Sequence, residues 1–271
     1  MFTEERYVME QHFFKKLLKV RKSKRVITGF FIFALLFTLL SVFVVRPLHV
    51  THAAGTNTAE DNFHRANTTL GWGTTTNNDG LTNYIWQRSL NNGNTAFLNS
   101  NNGVIVYAGT NGHKIAGYVK VPVQSSGDVL AEITFTATGH GVAGVTLLVT
   151  GGTSWYQADM NTSTKTLEIR KRLNGIMTTV TSIPFTYVAN TAYWLRLDVQ
   201  ISNSTAVINE NAWAAGTTEP TKWLVTYTDS KPLPAGSAGA MGDWFRSPAP
   251  NEQERFGSWS YAAQGLASPA Q

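Results

Sequence analysis

The 271-residue sequence contains no cysteine. Disulfide staples and thiolate metal sites are therefore excluded, and any folded part must rest on its apolar core and its hydrogen bonds. Histidine is scarce as well: beyond residue 55 only His64, His113 and His140 remain. None of them has an Asp or Glu at ligand spacing, which argues against a zinc site. A Gly-x-Ser-x-Gly nucleophile elbow is missing, since Gly152-Thr-Ser154-Trp-Tyr156 lacks the second glycine. After residue 50 no stretch of ten residues carries apolar side chains at helical spacing.

What is present begins with an uncharged run, Val26 to Val45. As a helix its 20 residues would be roughly 30 Å long, enough to cross a bilayer. Residues 1–25 hold eight Lys or Arg against three Glu, so the positive-inside bias keeps that end cytoplasmic and sends the remainder across. Arg46-Pro47 ends the helix, and Thr51-His-Ala-Ala-Gly55 offers small residues of the kind signal peptidase accepts, after Ala53 or Ala54. Residues 1–54 thus read as a cleaved signal peptide or, because the apolar run is long, as an uncleaved signal anchor that holds the chain to the membrane through residues 26–45. Either way the remainder is expected outside the cytoplasm, extracellular or at the cell surface.

Charge changes once this segment is set aside. Residues 1–54 carry nine of the 22 Lys and Arg and three of the 17 Asp and Glu, which leaves 13 bases against 14 acids in the rest. The formal charge of +5 belongs to the targeting segment. A near-neutral remainder has no electrostatic footprint for gripping phosphates, so nucleic acid is not an expected partner.

From residue 104 onward, short alternating or β-branched runs recur every 8 to 12 residues with turn residues between them. They are Val104–Tyr107, Ile115–Val123, Val129–Ala137, Ala143–Thr150, Trp155–Met160, Thr166–Leu173, Thr178–Phe185, Tyr193–Ile201, Ala206–Trp213, Trp223–Thr228, Gly239–Trp244 and Phe256–Tyr261. Asn174-Gly175 between two such runs is a strong hairpin signal. Thr74 to Gly112, rich in Asn, Thr and Gly, predicts long loops, with less regular strands near Asn62–His64 and Tyr84–Gln87. The pattern is all-β: one sandwich domain over residues 55–261, then a disordered tail over 262–271.

Alternation sorts the side chains. Tyr193, Leu195, Leu197 and Val199 share one face, which leaves Trp194, Arg196, Asp198 and Gln200 on the other. Leu167, Ile169 and Lys171 likewise oppose Glu168, Arg170 and Arg172, and Trp155, Gln157 and Asp159 share a face. If these strands lie together, aromatic, guanidinium and carboxylate groups line one sheet surface. The same pattern also serves a solvated face on which opposite charges pair across strands.

Three segments carry a family likeness. They are Glu60-Asp61-Asn-Phe63-His-Arg65 with Gly71-Trp72-Gly73; Tyr193-Trp194-Leu195-Arg196; and Ala212-Trp213 through Glu219-Pro220 to Trp223, closing on Thr228-Asp229. Together they resemble bacterial secreted jelly-roll domains of the concanavalin A-like lectin/glucanase class, often called laminin G-like. The resemblance implies a two-sheet antiparallel jelly-roll sandwich, with the strand at Asp61 to Phe63 beside the last strand, and a sheet face that binds glycans in many members. It also implies a calcium site, for which Asp61 is a candidate ligand, although the last strand reads Arg255-Phe-Gly-Ser-Trp-Ser260 where relatives often place acids. Trp72, Trp213 and Trp223 read as plugs at the sandwich edge.

Glycosidases of this fold place their carboxyls on one strand in a Glu-x-Asp-x-Glu type of spacing, which this chain lacks; Glu132, Asp159, Glu168, Asp198 and Glu210 lie on separate strands. The leading expectation is a secreted or surface-attached non-catalytic carbohydrate-binding module. Its candidate ligand residues are Trp155, Asp159, Glu168, Arg170, Trp194, Arg196 and Asp198. The alternatives are a polysaccharide-degrading glycosidase or lyase, and a structural or adhesive envelope protein.

Overall fold

The computed structural model describes residues 56–69, 71–76, 84–91, 95–106, 114–244 and 252–270. The apolar run 26–45, the Ala53-Ala54 site and His113 lie outside the described residues. Among those described there is no helix, in keeping with the absence of helical periodicity.

Fifteen strands follow in chain order: β1 Ala59–Asp61, β2 Trp86–Asn91, β3 Thr95–Asn99, β4 Asn102–Val106, β5 Lys114–Gln124, β6 Gly127–Phe135, β7 Gly141–Thr150, β8 Ser154–Asn161, β9 Thr166–Leu173, β10 Ile176–Pro184, β11 Ala192–Ser202, β12 Thr205–Ala214, β13 Val225–Asp229, β14 Gly236–Trp244 and β15 Gln253–Ala262. They form two antiparallel sheets. One runs β13-β12-β11-β6-β15-β4-β3 with β1 also on β15; the other runs β10-β9-β8-β7-β14-β5-β2. The strand near Asp61 does pair with the last strand, with Ala59, Glu60 and Asp61 opposite Tyr261, Ser260 and Trp259.

The core lies between the sheets and follows the alternation. Tyr156, Ala158, Met160, Leu167 and Ile169 from one sheet meet Ile133, Phe135, Leu195, Leu197 and Val199 from the other, all buried. Each such large aliphatic or aromatic side chain contributes roughly 1.5–3 kcal/mol through the apolar surface it removes from water. At one edge Trp72 packs against Phe63, Trp86 and Phe256 with ring centroids 5.3, 4.9 and 5.3 Å away, the plug expected of it.

Turn chemistry fixes the registers. Asn174 and Gly175 adopt φ of 51° and 88°, the left-handed pair that a type I′ hairpin requires, and set Leu173 opposite Ile176. Within the Asn-rich stretch, β2 overlaps the strand expected near Tyr84–Gln87 and β4 the run Val104–Tyr107, whereas β3 lies where only loop was expected. Its asparagines act at the turn: Ser100 and Asn101 take φ of 50° and 61° and join β3 to β4, a conformation Asn accepts more readily than most residues.

The C-terminal segment also departs from expectation. Ala267 is buried; its N–H donates to Asp128 Oδ1 at 2.8 Å and its carbonyl accepts from Arg196 Nη2 at 3.1 Å. Asn57 and Ser258 hold Ser268 and Ala270. A small, polar tail reads as disordered by composition, but here its backbone groups find partners on the outer face of the eight-stranded sheet.

Candidate functional site

The expected site residues divide between two faces. β8 and β9 are neighbours in the seven-stranded sheet, whereas β11 belongs to the eight-stranded one. Because Tyr156, Leu167 and Leu195 all point into the shared core, Trp155, Asp159, Glu168 and Arg170 face outward on one side of the sandwich and Trp194, Arg196 and Asp198 on the other. A single seven-residue surface is thereby corrected to two.

On the seven-stranded sheet, antiparallel register sets Trp155 opposite Arg172, Gln157 opposite Arg170, and Asp159 opposite Glu168. A continuous chain of contacts locks them. Trp155 Nε1 donates to Gln157 Oε1 at 2.6 Å, Gln157 Nε2 donates to Asp159 Oδ2, and Arg170 Nη1 reaches the same oxygen at 3.2 Å. Arg170 Nε lies 4.0 Å from Glu168 Oε2, so the guanidinium bridges both carboxyls. The Arg172 guanidinium carbon stands 4.8 Å from the centre of the Trp155 ring, a cation–π contact. Met241 and Val149 pack with Trp155, and Met177 flanks it.

Glu168 is densely solvated by protein. Its Oε1 accepts from Asn161 Nδ2 at 3.0 Å, Thr164 Oγ1 at 3.1 Å and Thr166 Oγ1 at 2.6 Å; its Oε2 accepts from Thr179 Oγ1 at 3.4 Å. Asp159 differs. Burial pushes its carboxyl up to about 6 against the pull of Arg170, and the charge of Glu168 adds to the rise. Its Oδ1 is buried with no hydrogen-bond partner and points at Gly144 on β7, where a Cβ would come within 2.2 Å of it. Only glycine leaves room for that oxygen.

Behind this row stands Glu210 of β12, on the core side of the other sheet and fully buried. Burial first, then the charges of Asp159 and Glu168, raise its carboxyl well above the usual range. Its position was readable, since Ala206, Ile208, Glu210 and Ala212 alternate onto the core face. Gln157 and Arg172 belong to the cluster by the same alternation. Thr179 and Met241 carried no sequence signal, because pairing alone brings β10 and β14 to this surface.

The opposite face is built otherwise. Arg196 pairs with Asp128 Oδ1 at 2.5 Å, and with Glu219 through Nε at 2.8 Å and Nη2 at 3.1 Å. Asp198 accepts from Gln200 at 2.6 Å and Asn209 at 3.1 Å. The 215–224 loop and the C-terminal segment cover this network, with Asn211 anchoring Pro220 and Leu224. Arg196 and Asp198 are thus consumed by structure and leave the ligand set.

Asp61 does not fit a calcium ion in this arrangement. Both its oxygens receive the Arg65 guanidinium, at 2.6 and 3.0 Å, and Trp86 Nε1 donates to Oδ2 at 2.7 Å. The arginine stands where a cation would. Among the described residues no three His, Asp or Glu converge as a metal site.

No family model and no curated protein sequence matches the chain. Among solved structures it is similar to a carbohydrate-binding module from Bacillus subtilis, at 11% identity over 67% of this chain and 93% of that one, with a TM-score of 0.47. A β-glucanase from Bacillus licheniformis is similar at 15% identity, 78% and 98% coverage and a TM-score of 0.46. A seed lectin from Lotus tetragonolobus gives 11%, 76% and 99%, and 0.44. At these identities and scores nothing about ligand or reaction passes to this chain.

Proposed function

We propose that the chain is an exported, non-catalytic glycan-binding module whose ligand face is the outer side of the seven-stranded sheet around Trp155, Asp159, Glu168 and Arg170. One observation carries this reading: two carboxyls stand directly opposite each other across β8 and β9, held together by a bridging arginine. Like charges so placed destabilise a sheet. Asp128 faces Asp198 in the same way on the other sheet, but beneath the 215–224 loop and the C-terminal segment; a recognition surface uses fixed carboxylate, amide and guanidinium groups to meet paired hydroxyls. These groups sit on strands and are locked by one another, the preorganisation that keeps the cost of binding low. Export is supported by the basic segment, the apolar run 26–45 and the small residues around Ala53-Ala54.

The test is a glycan array probed with the full chain beside its Arg170→Ala and Asp159→Asn variants. Binding by the parent that falls at least about tenfold in either variant, with the fold retained, supports the reading. An array that stays blank, with calcium and with chelator, ends it.

A second reading rests on the same pair. Retaining and inverting glycosidases need two carboxyls roughly 5–9.5 Å apart, and Asp159 and Glu168 stand opposite each other on adjacent strands. Four hydrogen bonds already occupy Glu168, which leaves it poorly placed to attack an anomeric carbon or activate water. Binding is therefore preferred, and release of reducing sugar abolished by Asp159→Asn would reverse the preference.

A further inference from the structure

On the outer face of the eight-stranded sheet the covered network stops at one row of residues. Next to it lies a ledge that neither the 215–224 loop nor the C-terminal segment closes. Trp213 of β12, Trp194 of β11 and Glu132 of β6 stand in register across three neighbouring strands. The two indoles are partly exposed and loosely stacked, with centroids 6.5 Å apart and planes inclined by 27°. Leu130, Ala262 and Ala267 support them from the covered side.

Glu132 is the informative residue. On this face Arg196 is paired with Asp128 and Glu219, and Asp198 is hydrogen-bonded to Gln200 and Asn209. Glu132, half-buried beside Trp194, makes neither a hydrogen bond nor an ion pair among the described residues. Its carboxyl is raised by burial alone. Beyond it β15 bulges at Gly257. A Cβ on Gly257 would lie 3.0 Å from Glu132 Oε2 and 3.8 Å from Asn102 Oδ1, so two acceptor oxygens face each other over a residue with no side chain. Asn102 uses its own amide nitrogen on Ser100 O at 2.8 Å and so turns its oxygen to this gap.

We infer that this ledge is a second glycan subsite, in which pyranose rings lie on Trp194 and Trp213 and their hydroxyls donate to Glu132 and Asn102. The chemistry selects that occupant. A flat apolar ring face matches the partly exposed indoles, and an equatorial rim of donors matches the acceptor oxygens of Glu132 and Asn102. The inference shares the glycan reading of the other sheet but not its residues. Together the two would give one domain two ligand faces on opposite sides of the sandwich, able to bridge neighbouring polysaccharide chains.

The experiment uses the full chain in detergent, with tryptophan fluorescence and isothermal titration against cello-, xylo-, chito- and manno-hexaose and against any glycan retained on the array. Glu132→Ala is the primary variant, since it removes no existing partner and leaves the fold intact; Trp213→Ala is the second. The expected result is two sites per chain, one weakened about tenfold in each variant and untouched by Arg170→Ala. A single site that both ledge variants leave at parental affinity overturns the second subsite while the first stands. A parent chain that binds none of the glycans overturns both.

Discussion

The two outer faces of this sandwich carry similar inventories, with tryptophan, arginine and acids at alternating positions, and use them differently. On the eight-stranded sheet Asp128 faces Asp198 across β6 and β11, Arg196 serves Asp128 and Glu219, and a loop and the C-terminal segment cover the result. On the seven-stranded sheet Asp159 faces Glu168 in the same way, but here one arginine spans both members of the facing pair. Charged residues on a sheet face therefore do not by themselves mark a site. How they pair does.

The comparison can be broken most forcefully at Arg196. Arg196→Ala takes a donor from Asp128 and the counter-charge from Glu219 and frees the Ala267 carbonyl, and removing one partner of such a buried network costs about 3–5 kcal/mol. Urea denaturation should show that loss together with faster amide exchange in residues 266–270, while glycan binding at Arg170 is unchanged. If stability falls by less than about 1 kcal/mol, the covered network is not what secures this face.

Next in size is the response to pH. Asp159 and Asp128 are pushed up by burial to about 6 and about 8, above the carboxylate range of the unfolded chain, and Glu210 moves the same way. The folded state thus holds protons that the unfolded state has released. Stability from these groups is fully present below about pH 4 and is lost as pH rises, first through 6 and then through 8. For Asp159 alone the loss is on the order of 3 kcal/mol. Thermal melts from pH 4.5 to 8.5 should decline steadily, and Asp159→Asn should flatten the lower half of that decline. A melting temperature that climbs toward pH 8 would contradict the assignment of buried, protonated acids.

The smallest effect sharpens the seven-stranded face. Thr179→Val removes one of the donors to Glu168 without altering β propensity, and should cost about 0.5–1.5 kcal/mol while shifting glycan affinity. The corresponding change on the other face, Thr226→Val, which removes a hydrogen bond to Asn209, should cost a similar amount and leave affinity alone.

Much of this was legible in the linear chain, for reasons that can be named. Alternation in Tyr193 to Gln200 and in Leu167 to Arg172 correctly divided core from outer face, because a strand turns successive side chains to opposite sides whatever its neighbours are. Asn174-Gly175 marked its hairpin because few residues accept two consecutive positive φ values. β3 was missed because Asn favours turns and the composition of its stretch hides a short strand between them. The tail misled because its anchors, Asp128, Arg196, Asn57 and Ser258, are distant in sequence.

By itself, then, the sequence determined the local facts: a charge-poor, cysteine-free β domain, the inward and outward face of each strand, and an export segment at residues 1–54 as an expectation. Only the tertiary structure decided which strands share a sheet. That choice sends Trp194, Arg196 and Asp198 to the side opposite Trp155, Asp159 and Arg170, sets Asp159 against Glu168, and leaves Glu132 without a hydrogen-bond or ion-pair partner among the described residues. The physical reason is range. Face alternation is set by the geometry of a single strand, whereas adjacency is set by long-range pairing, in which the hydrophobic pattern specifies that a face be buried but not against which strand it lies.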